Sequence, residues 1–546
     1  MLETRPGSRL DPRSESFRAN RARMLEQLDE VRRLEARVRA TSERATPKLR
    51  KRGQLPARER VARLLDPGAP FLELSTLAGL GLHDDDGPDK DDGTVTGGGA
   101  IAGIGVVSGV RCALYANDAG IKGGAISPMG LRKNLRLHEI ALENRLPLVN
   151  LVESAGANLL YQSEIFIDGG RIFANLARLS AAGIPVITVV HGSSTAGGAY
   201  LPGLSDHVVM VRGRAKVFLA GGPLVKAALG EDADEEELGG AAMHGAVTGS
   251  AEHLADDDVE ALERARAVIA SLGWPAVAER PHRTWRPPLH DAEELLGVVP
   301  LDPRQPYDCR ELIVRLVDDS DFLEVKPGFG PHTVCGRATI EGWPVGILAN
   351  DGPIDVDSAA KATHFIHGCC QTGTPLVYLQ NTTGYMVGTA AEQAGMVKRG
   401  STMIQAVANA TVPQLTIQVG ASYGAGNYGM CGRAFGPRFL FAWPNARTAV
   451  MGGEQAGDVM RLVTEAKLQR AGAPVDVARL DAMRQGIVDQ IERESTALFA
   501  TARLWDDGLI DPRDTRHVLG LCLEIVADAE APKRATRPST FGVARF

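Results

Sequence analysis

The chain has 546 residues, a formal net charge of −7, and 44% hydrophobic and 23% charged residues. It is long enough for more than one domain and ordinary enough in composition to bury globular cores. No global basic field is available for nucleic acid, and no apolar run reaches the roughly 18 residues that a membrane-spanning helix needs. The seven cysteines contain no CxxC pair, which argues against a zinc ribbon or a disulfide framework and favours a reducing cytoplasm.

In chain order, the first segment, MLETRPGSRLDPRSESFRANR, lacks an apolar signal core, and its acidic residues argue against a transit peptide. Residues 17–44 form an amphipathic helix by spacing: Met24, Leu28, Val31, Leu34 and Val38 recur every three or four residues with charges between. DDDGPDKDDG, at 84–93, is expected as a solvated acidic loop. β-rich segments follow, and then strands alternate with helices. Prolines crowd the stretch from Pro275 to Pro306, which marks a boundary between a domain at 1–285 and another at 286–546.

The two halves repeat one another. RLPLVNLVESAG (145–156) resembles GTPLVYLQNTTG (373–384), and GIPVITVVHGSSTAGGAY (183–200) resembles TVPQLTIQVGASYGAGNY (411–428). Pro147 and Pro375, Pro185 and Pro413, and Tyr200 and Tyr428 are each 228 positions apart. LYAND (114–118) recurs as ILAND (347–351) at a slightly different offset. A tandem duplication of one α/β domain is the expected architecture.

In each half a β-forming run ends in small residues before a helix. Backbone N–H groups at such a helix start lack intrahelical acceptors, and small residues let an anionic oxygen approach them. The first turn is Thr195-Ala196-Gly197-Gly198-Ala199 and the second Tyr423-Gly424-Ala425-Gly426-Asn427, with Gly197 and Gly198 matching Ala425 and Gly426. Neither GxxxxGK[ST] nor a fitting GxGxxG accompanies them, so phosphate cradling is disfavoured. An oxyanion hole for an enolate fits better, with a plain tight crossing as the alternative. No ionisable side chain is placed in either turn as a general base.

These residues resemble the carboxyltransferase (β) subunits of biotin-dependent acyl-CoA carboxylases, a family of two tandem crotonase-like domains of the ClpP/crotonase superfamily. The likeness runs from about residue 10 to 530. It rests on RGQLPARERVARLLDPGAPFLELS (52–75), NDAGIKGGAISPMGLRKNLRLHEIALENRLPLVNLVESAGANL (117–159), FLAGGPLVKAALGEDADEEELGG (218–240), YDCRELIVRLVDDSDFLE (307–324), NTTGYMVG (381–388) and SYGAGNYGMCGRAFGPRFLFAWPNARTAVMGGEQA (422–456). The 3-methylcrotonyl-CoA branch is the most similar. AMKM and an ATP-grasp loop are absent, so the resemblance implies that biotin comes on a partner α subunit that also contains the biotin carboxylase.

By that resemblance, CO₂ passes from carboxybiotin to an acyl-CoA, and the biotin supplies the base that the chain lacks. The turn at Gly197 and Gly198, flanked by Ala196 and Ala199, would hold the thioester oxygen. The turn at Ala425 and Gly426, flanked by Tyr423, Gly424 and Asn427, would hold the biotin carbonyl. Gly156, Ala157 and Gly384 would line the cleft, and Lys122, Arg132 and Lys133 would face the phosphates of coenzyme A. No metal is expected. The active site would lie between the first domain of one copy and the second of another, in a β₆ core. Gly169 stands where the methylcrotonyl enzymes carry a bulky aromatic residue, which opens the way to a larger acyl chain, as in geranyl-CoA carboxylase. A sodium-exporting biotin-dependent decarboxylase, a biotin-independent crotonase-type hydratase or isomerase, and a non-catalytic scaffold are the other readings.

Overall fold

The computed structural model describes residues 7–85, 95–277, 285–300, 302, 305, 307–530 and 542–543. Most of the acidic stretch and part of the proline-rich stretch lie outside them. The chain divides into two compact units. One comprises Met1–Val31, His282–Thr501 and Trp505–Glu524, the other Arg32–Pro281, Ala502–Leu504 and Ile525–Phe546. The main break at 281/282 falls beside the boundary expected near 285. At the ends, local contacts decide the grouping: Asn20 Nδ2 donates to the Gly297 carbonyl, and Arg111 pairs with Asp528 at 3.1 Å.

In the unit that holds residues 32–281, β1 (Leu72–Leu74), β2 (Ala100–Val107), β3 (Val110–Asn117), β4 (Leu148–Ser154), β5 (Val186–Thr195), β6 (His207–Val211) and β8 (His253–Ala255) run in that order across one sheet, and β7 (Lys216–Phe218) pairs with β5. The β1–β2 and β2–β3 pairs are antiparallel and the rest parallel. The other unit repeats the plan with β9 (Leu323–Val325), β10 (Thr333–Ile340), β11 (Trp343–Asn350), β12 (Leu376–Thr382), β13 (Gln414–Tyr423), β14 (Phe439–Ala442) and β15 (Arg447–Ala449). β4 and β12, and β5 and β13, have identical lengths at the 228-residue offset, and both pairs shift register just before their ends. Every residue of β4 and β12 is buried, as expected of parallel strands covered on both faces.

The hairpin β2–β3 turns on Ser108 and Gly109, and β10–β11 on Glu341 and Gly342, all four at positive φ as a type I′ turn demands. A carboxylate grips each tip: Asp66 accepts from the N–H groups of Ser108 and Gly109, and Asp318 from those of Glu341 and Gly342. Helices Pro128–Glu143 and Val356–Thr372 also start 228 residues apart, capped by the Ser127 hydroxyl and the Asp355 carboxylate. The amphipathic N-terminal helix spans Glu15–Glu43, with Leu34 fully buried and Met24, Leu28, Val31 and Val38 nearly so. Among the described residues no helix is long and apolar enough to cross a membrane.

Candidate active site

β4 and β5 run parallel until Val152 pairs with Val190, and then the chain shifts so that Ser154 faces Ser194. Beyond this point both strands turn away and open a site at their carboxyl ends, where parallel sheets commonly bind ligands. The Ser154 hydroxyl donates to the Gly124 carbonyl at 2.9 Å and accepts from the Gly156 N–H at 3.1 Å. Gly156 takes φ +86°, with the Thr195 carbonyl against it. Ile126 bridges to Ala157 through the Gly156 carbonyl and the Asn158 N–H, which leaves the Ala157 N–H out of that ladder.

β5 ends in extended Thr195, and Ala196–Ala199 form a single 3₁₀ turn that no side chain caps. Ala196 sits at φ +52°, a strained value for a residue with a side chain, so its conformation is imposed by the neighbouring structure. The Ser194 hydroxyl holds the turn by donating to the Gly198 carbonyl at 2.8 Å. A cleft of about 410 Å³ opens beside it, and Ile126, Ala157, Gly169, Phe173, Gly197 and Gly198 are among its lining residues. Phe173 leans on Tyr200 with ring centroids 5.1 Å apart. A Cβ added at Gly169 would meet nothing within 4 Å, so the space beside it is open. Gly169 and Phe173 share one face of helix Gln162–Ala181, and that four-residue spacing was the sequence signal for Phe173 as a wall residue.

The second turn is built the same way. Thr382 Oγ1 accepts from the Gly384 N–H, Ile354 bridges to Tyr385, and helix Gly424–Gly429 follows extended Tyr423 with no side-chain cap. Ala425 is exposed and Gly426 buried. A Cβ on Gly426 would lie 2.9 Å from the Gly384 Cα, so that glycine is required by backbone packing as well. Asn427 turns inward: its Nδ2 donates to the Ser422 hydroxyl at 2.8 Å, and its backbone carbonyl accepts from the Gly432 N–H. Tyr423 lines a separate cavity of about 310 Å³ with Asn381, Asn445 and Arg447, and the lining does not include Gly384, Ala425 or Gly426.

Of the three expected phosphate contacts, none lines the cleft beside Gly197 and Gly198. Lys122 pairs with Asp84 at 2.6 Å, and Asp84 also accepts from the Asn158 amide and the Tyr161 hydroxyl. Arg132 faces Asp168 and Glu164. Lys133 corrects the sequence expectation outright. It is 2% exposed and donates to the Gly97 and Ala100 carbonyls, and burial pushes its ammonium down to about 8. Its spacing on the helix placed it on the inner face, where it ties down the loop before β2.

Sequence reasoning also missed a buried ion cluster beneath the first turn. Arg60 bridges Glu153 at 2.8 Å and Asp258 at 3.1 Å, and His191 Nδ1 lies 3.1 Å from Asp258. Burial, with Arg60 beside it, pushes the His191 imidazole down to about 4. The members are up to 198 residues apart in sequence, so no local pattern announces them. Separately, Asp308, Cys309 and Asp351 bring potential ligand atoms within 4.8 Å of one another, and burial raises the Cys309 thiol well above its ordinary value.

Two units with mainly parallel sheets, each ending a buried strand in an uncapped small-residue turn, define a duplicated α/β protein. Residues 48–539 match the carboxyl transferase domain, and the chain belongs to that family of tandem crotonase-like, biotin-dependent carboxyltransferases. It is 49% identical over 541 residues to a probable biotin-dependent acyl-coenzyme A carboxylase beta2 subunit of Mycobacterium tuberculosis, covering 99% of both chains. It is 47% identical to the biotin-dependent 3-methylcrotonyl-coenzyme A carboxylase beta1 subunit of the same organism, over 94% of this chain and 96% of that one. The crystal structure of the P. aeruginosa geranyl-CoA carboxylase beta subunit superposes with a TM-score of 0.92 at 55% identity, covering 99% of this chain and 100% of that one.

Proposed function

We propose that this chain transfers CO₂ from carboxybiotin, carried by a partner α subunit, to a 3-methyl-branched, α,β-unsaturated acyl-CoA. The observation that carries this reading is the pair of uncapped turns at matched positions, at Ala196–Ala199 and Gly424–Gly429. Backbone donors at Gly197 and Gly198, with Ala157 opposite and Ala196 and Ala199 shaping the turn, hold the thioester oxygen as it gains enolate charge. Each such donor contributes on the order of 3 kcal/mol in related acyl-transfer sites.

Ala425 and Gly426, framed by Gly384, Gly424, Tyr423 and Asn427, hold the ureido carbonyl of biotin. The turn fits that group, because a ureido oxygen that gains negative charge as CO₂ leaves needs N–H donors and room to approach, and Ala425 is exposed at an uncapped helix start. Bound there, biotin supplies both CO₂ and the base. The open space at Gly169, in a mainly apolar cleft, favours an acyl chain longer than 3-methylcrotonyl, of geranyl size. 3-Methylcrotonyl-CoA itself is the second reading, favoured by the 47% identity to a subunit so named.

In the same proposal residues 1–285 and 286–546 are the two carboxyltransferase domains, the working unit is a cytoplasmic β₆ core, and each site joins the first domain of one copy to the second of another. The test is ATP-dependent fixation of labelled bicarbonate by the chain with its biotinylated partner, across acyl-CoAs of increasing length. The expected outcome is partner-dependent fixation with the highest kcat/KM on branched unsaturated substrates. Fixation without the biotinylated partner, or a preference for propionyl-CoA, would overturn the reading.

A further inference from the structure

We propose that Glu153 is a positioning residue that aims the Gly197 and Gly198 N–H groups at the substrate, a role that rests on the first turn's holding the thioester oxygen. Between the Val152–Val190 and Ser154–Ser194 pairs, Glu153 alone stands opposite three residues of β5, His191, Gly192 and Ser193. Such a bulge re-aims the strand that carries the extra residues, and here that strand runs directly into Thr195 and the turn. The Glu153 side chain lies across the bare backbone of Gly192, where a Cβ would come within 2.8 Å of its Cγ, Cδ and Oε1. Ser154, next in the chain, orders Gly124 and Gly156 through its hydroxyl. Ser194, the first residue past the bulge, holds the Gly198 carbonyl.

The carboxylate that fills the bulge is itself fixed. Gln54 Nε2 donates to Glu153 Oε1 at 2.6 Å, and the Arg60 guanidinium lies 2.8 Å from Oε2. Asp258 holds Arg60 in turn, accepts from the Leu55 N–H, and faces His191, the first residue of the bulge. Arg60, Asp258 and His191 are all fully buried. A buried ion pair adds little net stability over an apolar pair of the same size, because desolvation offsets the attraction. What this cluster supplies is geometry. With Oε1 on Gln54 and Oε2 on Arg60, Glu153 acts through the backbone of β5 and not by proton transfer. The other unit has the same bulge: Asn381, 228 positions on, stands between the Gln380–Gln418 and Thr382–Ser422 pairs. It lies on bare Gly420 as Glu153 lies on Gly192, and its Oδ1 accepts from the Ala421 N–H at 2.8 Å. A polar side chain that fills the bulge is thus common to both turns, and beneath the thioester turn it is a carboxylate anchored by charge.

The test is steady-state bicarbonate fixation by the full chain with its biotinylated partner, with thermal melting of each variant. Glu153→Gln keeps the size of the side chain and removes the ion pair with Arg60. Its kcat should fall about 10–100-fold while KM for the acyl-CoA stays within about twofold, because misaimed donors are felt in the transition state. In a double variant with Gly197→Val, whose bulk already blocks the turn, kcat should fall no further than in Gly197→Val alone; independent sites would multiply their losses. Asp66→Asn is the structural control. It loosens the β2–β3 hairpin tip, at the amino end of β3 and opposite the strand ends that carry the turn, so melting should fall while kcat stays within about twofold. Wild-type kcat in Glu153→Gln, a raised KM at unchanged kcat, multiplied losses in the double variant, or an equal kcat loss in Asp66→Asn each overturn the role of Glu153 alone. If Glu153→Gln does not fold, Gln54→Met loosens the same carboxylate without stranding a charge. It should lower kcat about threefold, and an unchanged kcat there overturns the role as well. Wild-type kcat in Gly197→Val removes the thioester from the first turn, and with it the reading on which the role of Glu153 rests.

Discussion

Gly197→Val separates a backbone anion hole from a mere tight turn. Gly197 is exposed, its φ is not in the left-handed region, and a Cβ there would meet only the Phe173 ring, at 3.8 Å. Valine therefore fits the folded chain, and stability should stay within about 0.5 kcal/mol, as for other exposed positions. Its two methyl groups stand in the acyl cleft, over the N–H groups that receive the thioester oxygen. Losing one such donor lowers kcat by about 10²–10³, or about 2.7–4 kcal/mol. Gly426→Ala behaves differently, because its Cβ would press on the Gly384 Cα at 2.9 Å and Thr382 Cγ2 at 3.0 Å. That overpacking costs about 1–3 kcal/mol and should lower the melting temperature by several degrees. The assay pairs ATP-dependent bicarbonate fixation with thermal melting of each variant. Wild-type kcat in Gly197→Val would refute the backbone-hole argument, and so would a loss of activity that merely tracks a fall in melting temperature.

Gly169→Phe meets open space in the fold, so it should leave melting unchanged while filling the acyl cleft. The kcat/KM ratio of geranyl-CoA to 3-methylcrotonyl-CoA should fall by about 100-fold or more, since each excluded methylene is worth about 1–3 kcal/mol. An unchanged ratio would remove Gly169 from the specificity wall. Burial holds the His138 imidazole down at about 3 and His191 down at about 4, against an ordinary 6.5. Below pH 6.5 the unfolded chain takes up protons that the native state refuses, so stability falls as pH drops from 6.5 towards 4, by up to about 1.4 kcal/mol per pH unit for each histidine. Among the described residues neither ring nitrogen of His138 has a hydrogen-bond partner, so His138→Leu should keep the fold and flatten this dependence. Urea midpoints at pH 7.5, 6 and 5 measure it, and an unchanged slope in the variant would contradict the assignment.

The sequence alone determined the duplication, the strand ends and the two turns. These depend on local features: buried parallel strands read as apolar runs, and small residues mark where the backbone must stay bare. The 228-residue offset of Pro147 and Pro375 carried over into strands of equal length with the same register shift. Only the tertiary structure decided which side chains face those strand ends. Lys133 and Lys122 lie on one stretch of chain with the same charge, yet one is sealed against backbone carbonyls and the other is matched by Asp84. The cluster of Arg60, Glu153, His191 and Asp258 also joins distant segments. Charge on a side chain is visible in a sequence, but whether that charge is already neutralised depends on long-range packing. For that reason the two small-residue turns were legible from residues 195–199 and 423–427, while the pairing of the cations was not.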